Sequence, residues 1–213
     1  MLRAALLAFA LLAAPAFADP PEGELTAAPG SIATGMIEQA DANGVFDIVH
    51  NGQVSVRHTA SGLRCDFERD GAGGRLALFP GLPRGDDVAC DFDYDNFDVT
   101  LYASRYPGPP PLDGLLAGSA QAIRHVYPDA RAVEPAYDVD TQGMPPHRAA
   151  RFLLTKDGIR YFSSVHIAQV GEWTIKQRYS APAETADAAR QADLAASLMF
   201  QATLSELVTP PNL

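Results

Sequence analysis

Two thiols, five imidazoles and one run of alternating carboxylates are the side chains here whose types and spacing invite chemistry. Cys65 and Cys90 are the only thiols, and they do not form the C-x-x-C of a redox-active dithiol. Leu63, Cys65 and Phe67 alternate with Arg64 and Asp66, and Val88, Cys90 and Phe92 alternate with Asp91 and Asp93. Strand side chains change face with a period of two, so each cysteine belongs to the apolar face of a strand. Two such strands side by side would bring the sulfurs together, and a Cys65–Cys90 disulfide is expected in an oxidising compartment. Closing this loop of roughly 25 residues contributes about 3 kcal/mol in the chain-entropy picture.

Asp91, Asp93, Asp95 and Asn96 open like a calcium-binding loop, whose oxygen donors at alternate positions converge on a hard cation. The pattern then breaks. Asn96 stands where glycine is required, and Tyr102 where the bidentate glutamate belongs. The same alternation is the polar face of a strand, which is the reading adopted. His50, His58, His125, His147 and His166 show no metal-ligand spacing. His50 and His58 flank a hairpin and could face each other across it, while His166 shares a strand face with Phe162 and Ser164. Each histidine reads as a packing or surface residue. Gly118-Ser119 follows Ala117 in a helical stretch, so it is not a nucleophile elbow. Gly71, Gly73 and Gly74 lack the lysine and helix start of a phosphate loop. Trp173, beside Glu172 at a hairpin turn, reads as a core aromatic. No catalytic, cofactor-binding or metal-ligating residue is assigned, and no cofactor is expected; the assigned pair is the disulfide Cys65 and Cys90.

The elements that carry these residues follow from periodicity and turn chemistry. A short helix is expected over 32–40, with Ile32, Met36, Ile37 and Ala40 on one side. Strands 45–50 and 53–58 flank Asn51-Gly52, the signature of a type I′ hairpin. Further strands are expected over 63–67, 75–80, 88–93 and 97–106, with a less clearly patterned extended segment at 132–139. Pro107-Gly108-Pro109-Pro110-Pro111 leads into a helix over 112–127, stopped by Pro128. Segments 148–155, 159–170 and 173–179, joined at Asp157-Gly158 and Gly171-Glu172, read as an antiparallel meander. Tyr161, Ser163, Val165 and Ile167 share one face of the middle strand, and Phe162, Ser164, His166 and Ala168 the other. Both faces are partly apolar, so both should be covered. A last helix over 182–207 presents Ala196, Met199, Phe200, Thr203, Leu204 and Leu207 as its stripe. The inventory is α+β: an antiparallel β-sheet with helices packed on its faces.

Residues 1–18 have the layout of a secretory signal peptide: Arg3, the apolar run Ala4–Ala14, and the A-x-A site Ala16-Phe17-Ala18. No cysteine follows the site, which excludes a lipoprotein anchor. Residues 19–31 read as a flexible leader, 32–208 as a single domain and 209–213 as a tail. The formal net charge of −10 becomes −11 on loss of Arg3, because residues 1–18 hold no acid. That balance disfavours nucleic acid and anionic membrane surfaces. No second apolar run of membrane length follows, so no membrane insertion is expected after cleavage. The expected location is the periplasm or the exterior of a bacterial cell.

The order of hairpins, proline-rich connection, helix, meander and terminal helix over roughly 45–207 resembles the Mog1/PsbP-like sandwich. His58-Thr59-Ala60-Ser61-Gly62-Leu63-Arg64-Cys65 also resembles stretches in uncharacterised secreted bacterial proteins. The first resemblance implies an accessory or interaction module with no transferred active site. The resulting expectation is a non-catalytic binding module for an unknown protein or small molecule, acting through a face or rim of the sheet. The loops at 81–87 and 141–147 are the rim candidates. A small hydrolase and a carrier of a small apolar ligand are the alternatives. A histidine beside a carboxylate and a serine in one pocket would favour the hydrolase. A cavity between sheet and helix would favour the carrier.

Overall fold

In the computed structural model, residues 27–94, 97–137 and 143–209 are described. The chain order is α1 (Pro29–Gln39), β1 (Phe46–Ile48), β2 (Val54–His58), β3 (Arg64–Phe67), β4 (Gly74–Leu78), β5 (Asp87–Tyr94), β6 (Phe97–Ser104), α2 (Leu112–Val126), β7 (Arg131–Ala132), β8 (His147–Lys156), β9 (Ile159–Val170), β10 (Trp173–Pro182) and α3 (Ala186–Val208). Two tight turns set the register of the meander. Asp157 and Gly158 both hold left-handed φ, 53° and 80°, and join Lys156 to its partner Ile159. That is the type I′ geometry the dipeptide favours. At the next turn Gly171 is left-handed (φ 57°) and Val170 pairs with Trp173, as a type II′ turn requires.

The strands form two antiparallel sheets, a small one ordered β1-β2-β3 and a large one ordered β4-β5-β6-β10-β9-β8-β7. The inner face of the large sheet carries Leu76, Cys90, Phe92, Val99, Leu101, Phe162, Ile175 and Tyr179 into one core shared with the small sheet, α1 and α3. On the outer face, α2 packs Ala120 and Ile123 on Phe152, Leu154, Val165 and Ile167 of β8 and β9. Both faces of β9 are thus covered, as its two apolar faces demand. The fold is α+β, with the three helices of the described residues packed on antiparallel sheets.

The cysteines are joined, but not as neighbours in one sheet. Cys65 lies on β3 of the small sheet and Cys90 on β5 of the large one, with their Cα atoms 6.3 Å apart. The bond therefore ties the layers face to face. Alternation identified the buried face of each strand but carries no information about which layer that strand joins.

Local departures have local causes. At residues 51–52 only Gly52 is left-handed (φ 82°), while the Asn51 side chain accepts a hydrogen bond from the Gln53 N–H at 3.0 Å. This side-chain turn replaces the type I′ turn, and β1 ends at Ile48, opposite Val56. α1 begins three residues before the expected start, because Pro29 at its first turn is preset for a helix. Thr185 caps α3 by accepting from the Ala188 N–H at 3.1 Å, so that helix starts after Pro182, which ends β10. The extended segment shrinks to the two residues of β7; its positions 138–139 lie outside the described residues, as do the signal peptide, most of the leader and residues 210–213.

Candidate functional site

Because α2 covers only β8 and β9, the outer face of β4, β5, β6 and β10 is left as a groove of about 340 Å³. Its residues come in cross-strand rows. In one row Arg75, Asp91, Thr100 and Arg178 are successive partners across β4, β5, β6 and β10. Arg75 donates to Asp91 Oδ2 at 2.5 Å and the Thr100 hydroxyl donates to Asp91 Oδ1 at 2.8 Å. Both carboxylate oxygens are thereby occupied. The Arg178 guanidinium, at the end of the row, makes no hydrogen bond or ion pair among the described residues.

A second row places Lys176 opposite Tyr102, with Nζ 3.8 Å from the ring centroid. A third runs from Asp93 through Asp98 and Ser180 to Ser163. Asp98 pairs with Lys156 at 3.3 Å, and Lys156 Nζ lies 5.4 Å from the Tyr161 ring. Tyr127 closes the helix side. Burial pushes the Lys176 ammonium below its ordinary pKa, with Asp87 opposing and Arg178 reinforcing. Burial raises the Tyr102 phenol, which keeps it a hydrogen-bond donor at neutral pH. Burial also works against the Lys156 charge, but Asp98 outweighs it and holds that pKa above its ordinary value. The groove therefore offers an uncommitted guanidinium and several hydroxyls, beside the paired Arg75–Asp91 and Lys156–Asp98 and the carboxylate of Asp93.

A different pocket, of about 330 Å³, opens on the inner face between β8, β9 and α3. Arg151 Nε donates to Asp193 Oδ1 at 2.5 Å in an almost buried pair, the side chains being 13% and 3% exposed. Asp193 Oδ2 accepts the Ala136 N–H at 2.7 Å. His166 lies beside them, its ring 5.4 Å from Phe200, with no hydrogen-bond partner on Nε2 among the described residues. Burial and then Arg151 push its pKa down to about 4, with Asp193 partly opposing and His147 adding to the fall. Ser197 lines the same pocket. Histidine, carboxylate and serine thus meet here, but not as a catalytic relay. Asp193 is committed to Arg151 and a backbone amide, and His166 Nε2 bonds no serine.

The remaining sequence candidates are dispersed. Asp91 and Asp93 lie on an extended strand rather than a curled loop, and Asp95 and Asn96 lie outside the described residues. His58, deep in the core, stands opposite Phe46, whereas His50 sits in the loop at the other end of that hairpin, so the two do not meet. His58 packs between Phe46 and Trp173, 5.3 and 5.1 Å between centroids, and bonds the Ser61 hydroxyl at 2.8 Å. Burial holds its pKa below the ordinary histidine value. Trp173 is the core aromatic expected of it, stacked under Arg105. His125 is exposed on α2 and Ser119 sits mid-helix. The loop at 81–87 is pinned by Asp86 to Arg105 at 2.6 Å; of the loop at 141–147, Met144 and His147 line the inner pocket and 141–142 lie outside the described residues. The groove residues Arg178, Tyr102 and Arg75 were missed. Their signal was the outward phase of alternating strands, which they share with Asp91, Asp98 and Thr100.

No family model matches the chain, and no curated protein matches it. Among solved structures, the chain is similar to LpqN, involved in cell envelope biogenesis of Mycobacterium tuberculosis, with a TM-score of 0.35 and 11% identity. That similarity covers 63% of this chain and 82% of LpqN.

Proposed function

We propose that this chain is an exported, extracytoplasmic binding module, without catalysis of its own, that holds a polar anionic ligand in the outer groove. The observation that carries the reading is Arg178, a guanidinium on the central strand of a concave face, uncommitted among the described residues. Guanidinium presents a planar fork that matches a carboxylate or phosphate with two parallel bonds. The other lining cations, Arg75 and Lys156, are paired with Asp91 and Asp98, which leaves Arg178 to meet a ligand's charge in a chain whose net charge is −10. Export is supported by the A-x-A site at Ala16–Ala18 and by the inter-sheet disulfide, which an oxidising compartment sustains. The element order that resembles Mog1/PsbP-like accessory modules agrees with a binding role.

Titration of labelled protein with citrate and with inorganic phosphate tests the reading. Amide shifts should centre on Thr100, Tyr102 and Arg178, and glycerol should produce none. Charge-assisted bonds contribute about 1.5–3 kcal/mol, so Arg178→Gln should weaken binding by roughly tenfold or more. Shifts scattered over the surface, or unchanged affinity in Arg178→Gln, would contradict it.

A further inference from the structure

We propose that the inner pocket between β8, β9 and α3 is a second ligand site, one that takes an amphiphilic carboxylate. Arg151 has five N–H donors and only Nε is engaged; the bonds made by its two terminal nitrogens are none among the described residues. His166 is 3% exposed and its Nε2 is likewise unpartnered. Both line the pocket, so a carboxylate head there would accept from Arg151 and from neutral His166 in its Nε2–H tautomer. The same head would satisfy groups whose isolation in the apolar interior is otherwise costly.

Part of the wall is apolar, alongside the polar His147, Arg148, Ser197 and Gln201. Phe200 and Leu204 of α3, with Met144, Tyr137 and Pro135, face the space that a hydrocarbon or aromatic body would fill. The volume of about 330 Å³ falls within the about 300–1,000 Å³ typical of small-molecule sites. An uncharged apolar molecule would leave Arg151 and His166 unsatisfied, and a hydrophilic anion would leave the apolar wall wet. The site is distinct from the outer groove, since Arg151 and His166 project from the opposite face of the same sheet.

Decanoate is the probe, used below its micellar concentration, with 1-decanol as the neutral control and decyltrimethylammonium as the cationic one. Calorimetry should give a 1:1 complex for decanoate, at least tenfold weaker for either control. Between hexanoate and decanoate, affinity should rise about fourfold per methylene, the conversion of ~0.8 kcal/mol for each buried CH₂. His166→Leu should weaken decanoate about tenfold. Ala149→Phe fills the pocket from β8, beside its cross-strand partner His166. It should abolish binding while leaving the unfolding midpoint in place. Arg178→Gln should not alter decanoate affinity; loss there would move the anion to the outer groove and overturn the second site. Equal binding of decanol, retained binding in Ala149→Phe, or no binding of decanoate would each overturn it too.

Discussion

Mild acid should destabilise this protein through His166. The ring is buried among Arg151 and His147 of β8, Asp193 and Phe200 of α3 and its cross-strand partner Gln177 of β10, and its pKa falls from 6.5 to about 4. Above pH 6.5 the ring is neutral in the folded and unfolded chains alike, so it adds no pH dependence. Below pH 6.5 the unfolded chain binds a proton that the folded chain refuses, and stability falls until the folded ring also titrates near pH 4. Each pH unit of that window is worth about 1.4 kcal/mol, which gives about 2 kcal/mol lost at pH 5 and about 3 kcal/mol by pH 4. His58 acts in the same direction, so wild type alone does not isolate the effect. The comparison is urea unfolding of wild type and His166→Leu at pH 8, 6 and 5. Leucine removes the titrating ring, whose Nε2 has no partner to lose among the described residues. From pH 8 to pH 5 the wild type should lose about 2 kcal/mol more than the variant. Parallel curves would refute the reasoning, because they would mean that folded His166 takes up its proton at an ordinary pH.

Three further outcomes follow from the same packing. Phe200 is 2% exposed in the core under α3, so Phe200→Ala should lower the urea-extrapolated stability by about 3–5 kcal/mol; an unchanged midpoint would show α3 to be peripheral. Mass spectrometry of non-reduced protein should find the Cys65 and Cys90 peptides linked, and Cys65→Ala/Cys90→Ala should cost about 3 kcal/mol by freeing the unfolded chain; two alkylatable thiols would exclude the bridge. N-terminal sequencing of exported protein should begin at Asp19, and a sequence beginning at Met1 would exclude cleavage after Ala18.

The meander was legible because its information is local. Asp157-Gly158 and Gly171 dictate tight turns, and period-two alternation on each side fixes the register that pairs Val165 with Ala150 and Arg178. The last helix was legible from the spacing of Ala196, Phe200 and Leu204, all buried. The disulfide was half legible: burial of Cys65 and Cys90 follows from alternation, but their placement on opposing sheets is a tertiary choice. The groove was not legible as a site. Its first row joins Arg75 to Arg178 through the β6–β10 pairing, which brings together strands separated by α2, β7, β8 and β9. Alternation marks Asp98, Thr100 and Tyr102 as one face and Lys176, Arg178 and Ser180 as another, without stating that the two are adjacent. The isolation of His166 likewise depends on which element covers β9, and Asp193, the acid that engages its neighbour Arg151, lies on α3.

The central claim is that the outer groove recognises an anion through Arg178, and citrate binding by wild type and Arg178→Gln tests it most directly. Arg178 makes no ion pair among the described residues, so its replacement should leave stability within about 0.5 kcal/mol, as for ordinary surface changes. A loss of affinity of roughly tenfold or more at unchanged stability is the predicted result. Equal citrate affinity in the two proteins, with both folded, would contradict the account.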